Sequence, residues 1–268
     1  MPGTHVIALA IYYLILLGGL ATMLFEDRGW VAWGSYFVVM PLGAAALRIS
    51  QHRARPFGDL TISRPVLARA GLGALLAGVL VLWLFVLLLG AGRAQVDSHS
   101  IGLRSIVVGA LGPQFLVALW EEFAFRGAVQ PLAVRRWGTV RGLAAASLLF
   151  GAFHLPNIVY QDVPPELIPL TVANLTLMGL VFGWAYQRGG GLVLPVALHF
   201  GWNSACFAIE EIATYRLTGP LALVGTAAWF PESGLLGMAA LALLAGGVWR
   251  LTTPNRSIAR HLSENAHG

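Results

Sequence analysis

Three observations predict an all-α fold, a polytopic integral membrane bundle of about eight transmembrane helices. Hydrophobic residues make up 57% of the chain and charged residues only 11%, against about a quarter charged in an ordinary soluble domain. The apolar residues fall into runs long enough to cross a bilayer, which takes roughly 20 residues of helix. The arginines fall between those runs and alternate from one connecting segment to the next. So apolar a chain cannot cover a water-facing surface with polar groups. A soluble globular enzyme, a disordered chain and a secreted disulfide scaffold are therefore excluded. Cys206 is the only cysteine, which excludes an internal disulfide and a cysteine-clustered metal site.

The eight runs are 5–25, 30–47, 71–92, 105–130, 139–155, 167–187, 191–209 and 234–250. The first has no basic leader and no small-residue cleavage site, and a second apolar run follows closely, so it reads as a retained span rather than a signal peptide. The run 139–155 is short and glycine-tolerant. No repeat or long linker divides the chain, so 1–268 reads as a single membrane domain.

The connections support this count. Segments 48–70, 131–141, 187–190 and the tail from 250 carry 12 arginines and two acids. Segments 26–29, 93–104, 156–166 and 210–233 carry four arginines and eight acids. Arginine-rich loops stay in the cytoplasm, so both termini are expected there. The net charge of +5 comes from arginine alone, since lysine is absent. Short basic runs between apolar spans are orientation signals, so no nucleic-acid partner is expected. The arginine-only composition suggests a GC-rich bacterium, and hence its inner membrane.

Three charges fall inside a span, in Trp120-Glu121-Glu122-Phe123-Ala124-Phe125-Arg126-Gly127. Charge at that depth is costly and marks function. On a helix Glu122 and Arg126 are four apart and can pair. Glu121 points about 100° away and lacks that partner. Two adjacent carboxylates in low dielectric resist joint ionisation, which suits one of them to moving protons. Two further spans contribute His154, closing Phe150-Gly151-Ala152-Phe153-His154, and His199 with Asn203, four apart on one face. Neutral imidazole binds zinc or holds a water, and an amide adds an oxygen ligand or orients that water.

These residues spell EEFAFR, FGAFH and HFGWN, in that order on successive membrane segments. They resemble the EExxxR, FxxxH and HxxxN motifs of the CPBP family of intramembrane proteases. That family includes CAAX prenyl proteases, bacteriocin-processing or self-immunity proteins and the myxosortase branch. The resemblance covers roughly 100–210, the motif-bearing catalytic core. It implies an intramembrane metalloprotease in which Glu121 is the general base that activates water and His154 holds that water or a metal. His199 and Asn203 would complete the metal or oxyanion site, and Glu122 and Arg126 would support it, with Arg126 as a candidate substrate contact. The expected cofactor is a divalent metal, zinc first, on His154, His199 and Asn203. The expected partner is a membrane-associated protein or peptide substrate, such as a C-terminal sorting tail, within the lipid bilayer.

Other residues extend the expectation. Gly179 and Gly183 form a small-xxx-small face for close helix approach. Gly151 and Gly201 remove bulk beside the two histidines. Trp120, Trp184 and Trp202 are candidates to wall an apolar groove, although lipid-interface or core positions are commoner for such residues, and Asn174 is a further polar residue within a span. Cys206, seven residues after His199, offers a thiol nucleophile as an alternative mechanism. A non-catalytic immunity or transport protein is the alternative of a different class. The sequence leaves open the side of the membrane to which the site faces.

Overall fold

The computed structural model describes residues 38, 42–45, 62–98 and 103–253. Apart from Val38 and Leu42–Ala45, the first two expected spans lie outside these residues. The described chain forms a helical bundle with helices α1 (Arg64–Gly90), α2 (Arg104–Trp137), α3 (Thr139–Tyr160), α4 (Pro165–Gly189), α5 (Val193–Ile212) and α6 (Leu235–Thr252). Each expected span from 71 onward coincides with one of them. All but α5 are long and apolar enough to cross a membrane. The protein is thus an integral membrane helix bundle. The sequence of α5 carries His199, Asn203, Ser204, Glu210 and Glu211, and these polar groups lower the apolar signal of the helix that does the most inside the bundle.

The bundle is apolar outside and polar within. On α1 the residues Ala70, Gly73, Ala77, Val81, Leu84 and Leu88 recur every three or four positions and face inward. Between them Leu75 and Val86 are 63% and 61% exposed. An outward leucine or valine surface of this kind has no reason to exist in water and a clear one in lipid. In the interior, by contrast, Glu121, Glu122, Arg126, Gln130 and His199 are buried.

α2 is not a uniform helix. Pro113 cannot donate a main-chain hydrogen bond, and it lies in a wide π-helical turn, Ala110–Gln114. A second π turn, Phe125–Val129, follows the glutamate pair and contains Arg126. Such turns re-aim the side chains that follow them. Helix continues through Gln130–Trp137, past the expected end at 130, and Gly138 alone separates α2 from α3.

α5 is the central helix. It packs most extensively on α1, and also on α2 and α4. The α1–α5 approach depends on Gly201, where an added Cβ would strike the main-chain carbonyl of Ala74. Gly190, at φ +77°, ends α4 in the left-handed region and lets the chain reverse into α5 within a few residues. At the opposite end of the bundle two segments expected to be loops contain a short antiparallel ribbon, β1 (Ala94–Ser98) with β2 (Ala213–Leu217). Ala94 lies opposite Leu217 and Ser98 opposite Ala213. Among the described residues the spans are therefore helical, and this ribbon lies at one end of the bundle. The pairing is non-local, so the local pattern of either segment does not announce it.

Substituting Gly201→Ala is expected to cost about 1–3 kcal/mol, because backbone rather than a flexible side chain would have to move. A lower melting temperature in detergent checks this, and an unchanged one would contradict the proposed closeness of α1 and α5.

Candidate active site

The site is assembled from three helices. α2 supplies Glu121 and Glu122, α3 supplies His154, and α5 supplies His199. The first link is local. Arg126 Nη1 donates to Glu122 Oε1 at 2.9 Å, as the four-residue spacing predicts. Arg126 also donates from Nη2 to the Gly179 carbonyl at 3.2 Å. Its guanidinium lies 4.4 Å from the centre of the Phe150 ring, a cation–π contact out of reach of water. At 2% exposure Arg126 ties α2 to α4 inside the bundle, rather than at a surface where a substrate would meet it.

The second link crosses the bundle. His199 Nδ1 lies 2.9 Å from Glu122 Oε1. Against a carboxylate already bonded to arginine, the imidazole nitrogen is the donor, so His199 Nε2 keeps its lone pair. His154 Nδ1 lies 2.8 Å from the Phe150 carbonyl, which can only accept. His154 Nε2 is therefore also a lone-pair nitrogen. His154 stands at the junction of the helical segments Thr139–Phe153 and Leu155–Tyr160, where the chain turns and presents the ring sideways.

Both lone pairs meet Glu121. Its Oε2 is 3.8 Å from His154 Nε2 and 3.9 Å from His199 Nε2. Glu121 Oε2 is buried and has no hydrogen-bond partner. Three acceptors thus face one another with no donor between them. Such a group requires something electropositive: a water, with two protons, or a cation. A tetrahedral zinc separates nitrogen and oxygen ligands by about 3.4 Å. A bridging water separates its partners by about 4.5 Å. The observed separations lie between the two values, so these side chains would have to shift to seat either occupant. Among the described residues no group of three or more His, Cys, Asp or Glu side chains stands at metal-holding distances.

Asn203 is half-buried one turn beyond His199 and forms no hydrogen bond among the described residues. It lines a cavity of about 190 Å³ whose walls also include Cys206 and Trp229. The Trp229 ring is 6.2 Å from that of His154, so the cavity adjoins the site.

Several expectations need correction. Asn174 does not join the site. Its Nδ2 donates to the carbonyls of Glu232 at 2.6 Å and Gly234 at 2.9 Å, pinning the segment that precedes α6. Trp202 is fully buried and donates from Nε1 to Glu232 Oε1. Trp184 stacks on Trp249, and Trp120 packs edge-on against Phe123. None of these three walls the cavity. Gly151 and Gly201 make room for neighbouring helices, at Thr176 and Ala74, rather than for the imidazoles.

Two residues escaped sequence reasoning. Gln130 donates to the Gly183 carbonyl at 3.0 Å, repeating one turn on the tie between Arg126 and Gly179. Its position four residues after Arg126 was an available signal. Glu232 is buried in what reads as an ordinary loop, and no local signal marks it. Burial pushes its carboxyl up to about 7, against the lowering effect of the Trp202 indole bond.

These features define a helical integral membrane protein with a buried carboxylate–imidazole centre shared by three helices. Residues 103–205 match the family model of the type II CAAX prenyl endopeptidases, Rce1-like, so the region that carries the site is similar to that family. The chain is also similar to an uncharacterized 24.3 kDa protein of Escherichia coli, with 32% identity over 142 residues. The match covers 50% of this chain and 61% of that protein, so the chain spans about three fifths of the curated relative it matches.

Two predictions test the geometry. Removing one partner of the buried Glu122–Arg126 pair, as in Arg126→Met, is expected to destabilise by roughly 3–5 kcal/mol, and Glu122→Leu added to it to restore part of the loss. A double-mutant cycle on detergent melting temperatures measures this. Glu232, raised in the folded state, adds stability that is full below its ordinary value near 4.5 and lost as pH rises through about 7. Wild type should therefore melt lower at pH 8 than at pH 5, and Glu232→Gln should flatten that slope. An equal slope in both proteins would count against a buried, raised carboxyl.

Proposed function

We propose that this protein is an intramembrane endopeptidase that cleaves a membrane-associated protein tail or peptide precursor by glutamate-activated attack of water. The observation that carries the reading is the convergence of Glu121 Oε2 with the Nε2 atoms of His154 and His199. A water held among them gives a proton to Glu121 and attacks the scissile carbonyl. Glu121 then returns the proton to the departing amine. Glu122 and Arg126 hold the His199 ring and its tautomer, and act through it as positioning residues. A divalent ion such as zinc, on His154 Nε2 and His199 Nε2 with Asn203 as the third candidate ligand, would supply polarisation of the carbonyl when bound.

Charge at the two ends of the bundle supports an orientation. At one end Arg64, Arg69, Arg135, Arg136, Arg141, Arg188 and Arg250 stand with no acid among the described residues. At the other are Asp97, Asp162, Glu166, Glu210, Glu211 and Glu232 with three arginines. The arginine-only end belongs in the cytoplasm. The cavity belongs to the acidic end, through Gln161, Glu210 and Glu232. This favours a substrate tail outside the cytoplasm, of the C-terminal sorting kind, over a prenylated cytoplasmic one. A bacterial inner membrane with both termini cytoplasmic fits that arrangement.

The presence of Cys206 in the cavity wall beside Asn203 keeps a thiol mechanism as the second reading. The test is C-terminal peptide profiling of host membrane proteins in a deletion strain carrying wild type, Glu121→Ala or Cys206→Ala, with insertion checked by blot. Tails left uncut in the deletion and with Glu121→Ala, but cut with Cys206→Ala, are expected. Tails left uncut in the deletion and with Cys206→Ala, but cut with Glu121→Ala, would transfer the role to the thiol. Identical profiles in all strains would favour a non-catalytic immunity or transport role.

A further inference from the structure

The cavity beside the site has walls that the hydrolytic mechanism does not use. One stripe of α5 runs His199, Asn203, Cys206, Glu210 at steps of four, three and four residues. These stand on one face of the helix and span about 16 Å at 1.5 Å per residue. The stripe leads from the imidazole to the mouth. The cavity is also lined by the carboxamides of Gln114 on α2, of Asn157 on α3 and of Gln161 just past the end of α3. A carboxamide carries both a donor and an acceptor, as a peptide main chain does; Gln161 Nε2 donates to Asn157 Oδ1 at 3.3 Å, which leaves the Gln161 oxygen and the Asn157 amide group for a ligand. Trp229, another wall, has an indole Nε1 that is excluded from solvent and has no acceptor. It is a donor in want of a carbonyl.

The charge of the cavity is one-sided. Glu210 and Glu232 both line it, and none of its lining residues is basic. Glu232 is 8% exposed, whereas Glu210 stands open to solvent. Neither forms an ion pair among the described residues. Glu232, raised to about 7 by burial, ionises as a cation approaches it, and carboxylates of one sign in a concave site then focus a field that draws cations. Phe207, Trp229 and Phe230 give the same cavity aromatic walls, suited to the apolar stem of a long basic side chain and to its charged head. The volume, about 190 Å³, holds one such side chain with its main chain rather than a folded domain.

We infer that this cavity is the peptide-binding cleft of the protease and selects substrates carrying an arginine or lysine at one fixed position near the scissile bond, read by Glu210 and Glu232. The inference rests on the endopeptidase reading above. Main-chain groups of the substrate bind the carboxamides and the Trp229 indole without regard to sequence. The carboxylates supply the preference.

The test uses the full-length protein in proteoliposomes with single-span reporter peptides whose exposed segment beside the membrane is randomised. The products are read by mass spectrometry. Wild type is expected to enrich Arg or Lys over Ala at one position relative to the cut by roughly tenfold, the factor given by about 1.4 kcal/mol. Glu210→Gln, a change at an exposed site, should bring that ratio toward one, and Glu210→Gln with Glu232→Gln further. Glu211→Gln, outside the cavity, should leave the ratio as in wild type. The ratio is internal to each reaction, so partial loss of folded protein does not alter it. Cleavage without basic enrichment, or enrichment that survives the double variant, overturns the cleft assignment and leaves the protease reading standing. Failure of well-folded wild type to cut any library member overturns both.

Discussion

The Glu122 carboxylate is the constraint on which the interior depends. It is fully buried in a helix that crosses the membrane, and one of its oxygens accepts from both Arg126 and His199. A lone carboxylate at this depth would cost several kcal/mol. Arg126 compensates its charge, and that arginine must in turn be satisfied, by the Gly179 carbonyl and the Phe150 face. Each partner comes from a different helix. The requirement to neutralise one charge therefore fixes α2, α3, α4 and α5 relative to one another. It also fixes the His199 tautomer, which leaves Nε2 free to face Glu121.

Adjacent glutamates thereby acquire different roles from one spacing. Glu122 is four residues from Arg126 and is absorbed into the structural tie. Glu121, turned away on the same helix, finds no cation and instead meets two lone-pair nitrogens. The π turn at Phe125–Val129 belongs to this arrangement because it widens the helix where Arg126 reaches α4. The parallel ties from Arg126 to Gly179 and from Gln130 to Gly183 explain the small-xxx-small face of α4. Those glycines expose carbonyls to side-chain donors as well as permitting close packing.

Much of this was legible in the sequence because it is local or chemically improbable by chance. Long apolar runs locate the helices from α1 to α6, and charges within a span single out α2 as the candidate for function. The pairing of Glu122 with Arg126 follows from helical spacing alone. What could not be read depends on contacts between distant segments. Nothing near Ala94 or Ala213 announces a ribbon between them. The burial of Glu232 depends on Trp202, 30 residues away, and its placement on Asn174, 58 residues away. The tryptophans are open to several readings for the same reason. An indole in a span suits a groove wall, a buried donor or an outer stack equally well, and only the tertiary partner decides among them.

The proposed hydrolysis needs water as well as a base inside a membrane, and the apolar surface of this bundle excludes water from every lipid-facing direction. The polar stripe of α5 resolves the difficulty. Asn203 and Glu210 carry hydrogen-bonding groups from His199 toward the acidic end of the bundle, and the cavity they line is open there. The segment that covers this end is held by Asn174 and Trp202 through Glu232, and it places Trp229 beside His154. The features that keep the site dry toward lipid and those that admit a polar occupant therefore share elements. α5 packs its glycine face on α1, while its polar stripe forms one wall of the passage. This division explains why the helix with the weakest membrane signature stands at the centre of the bundle.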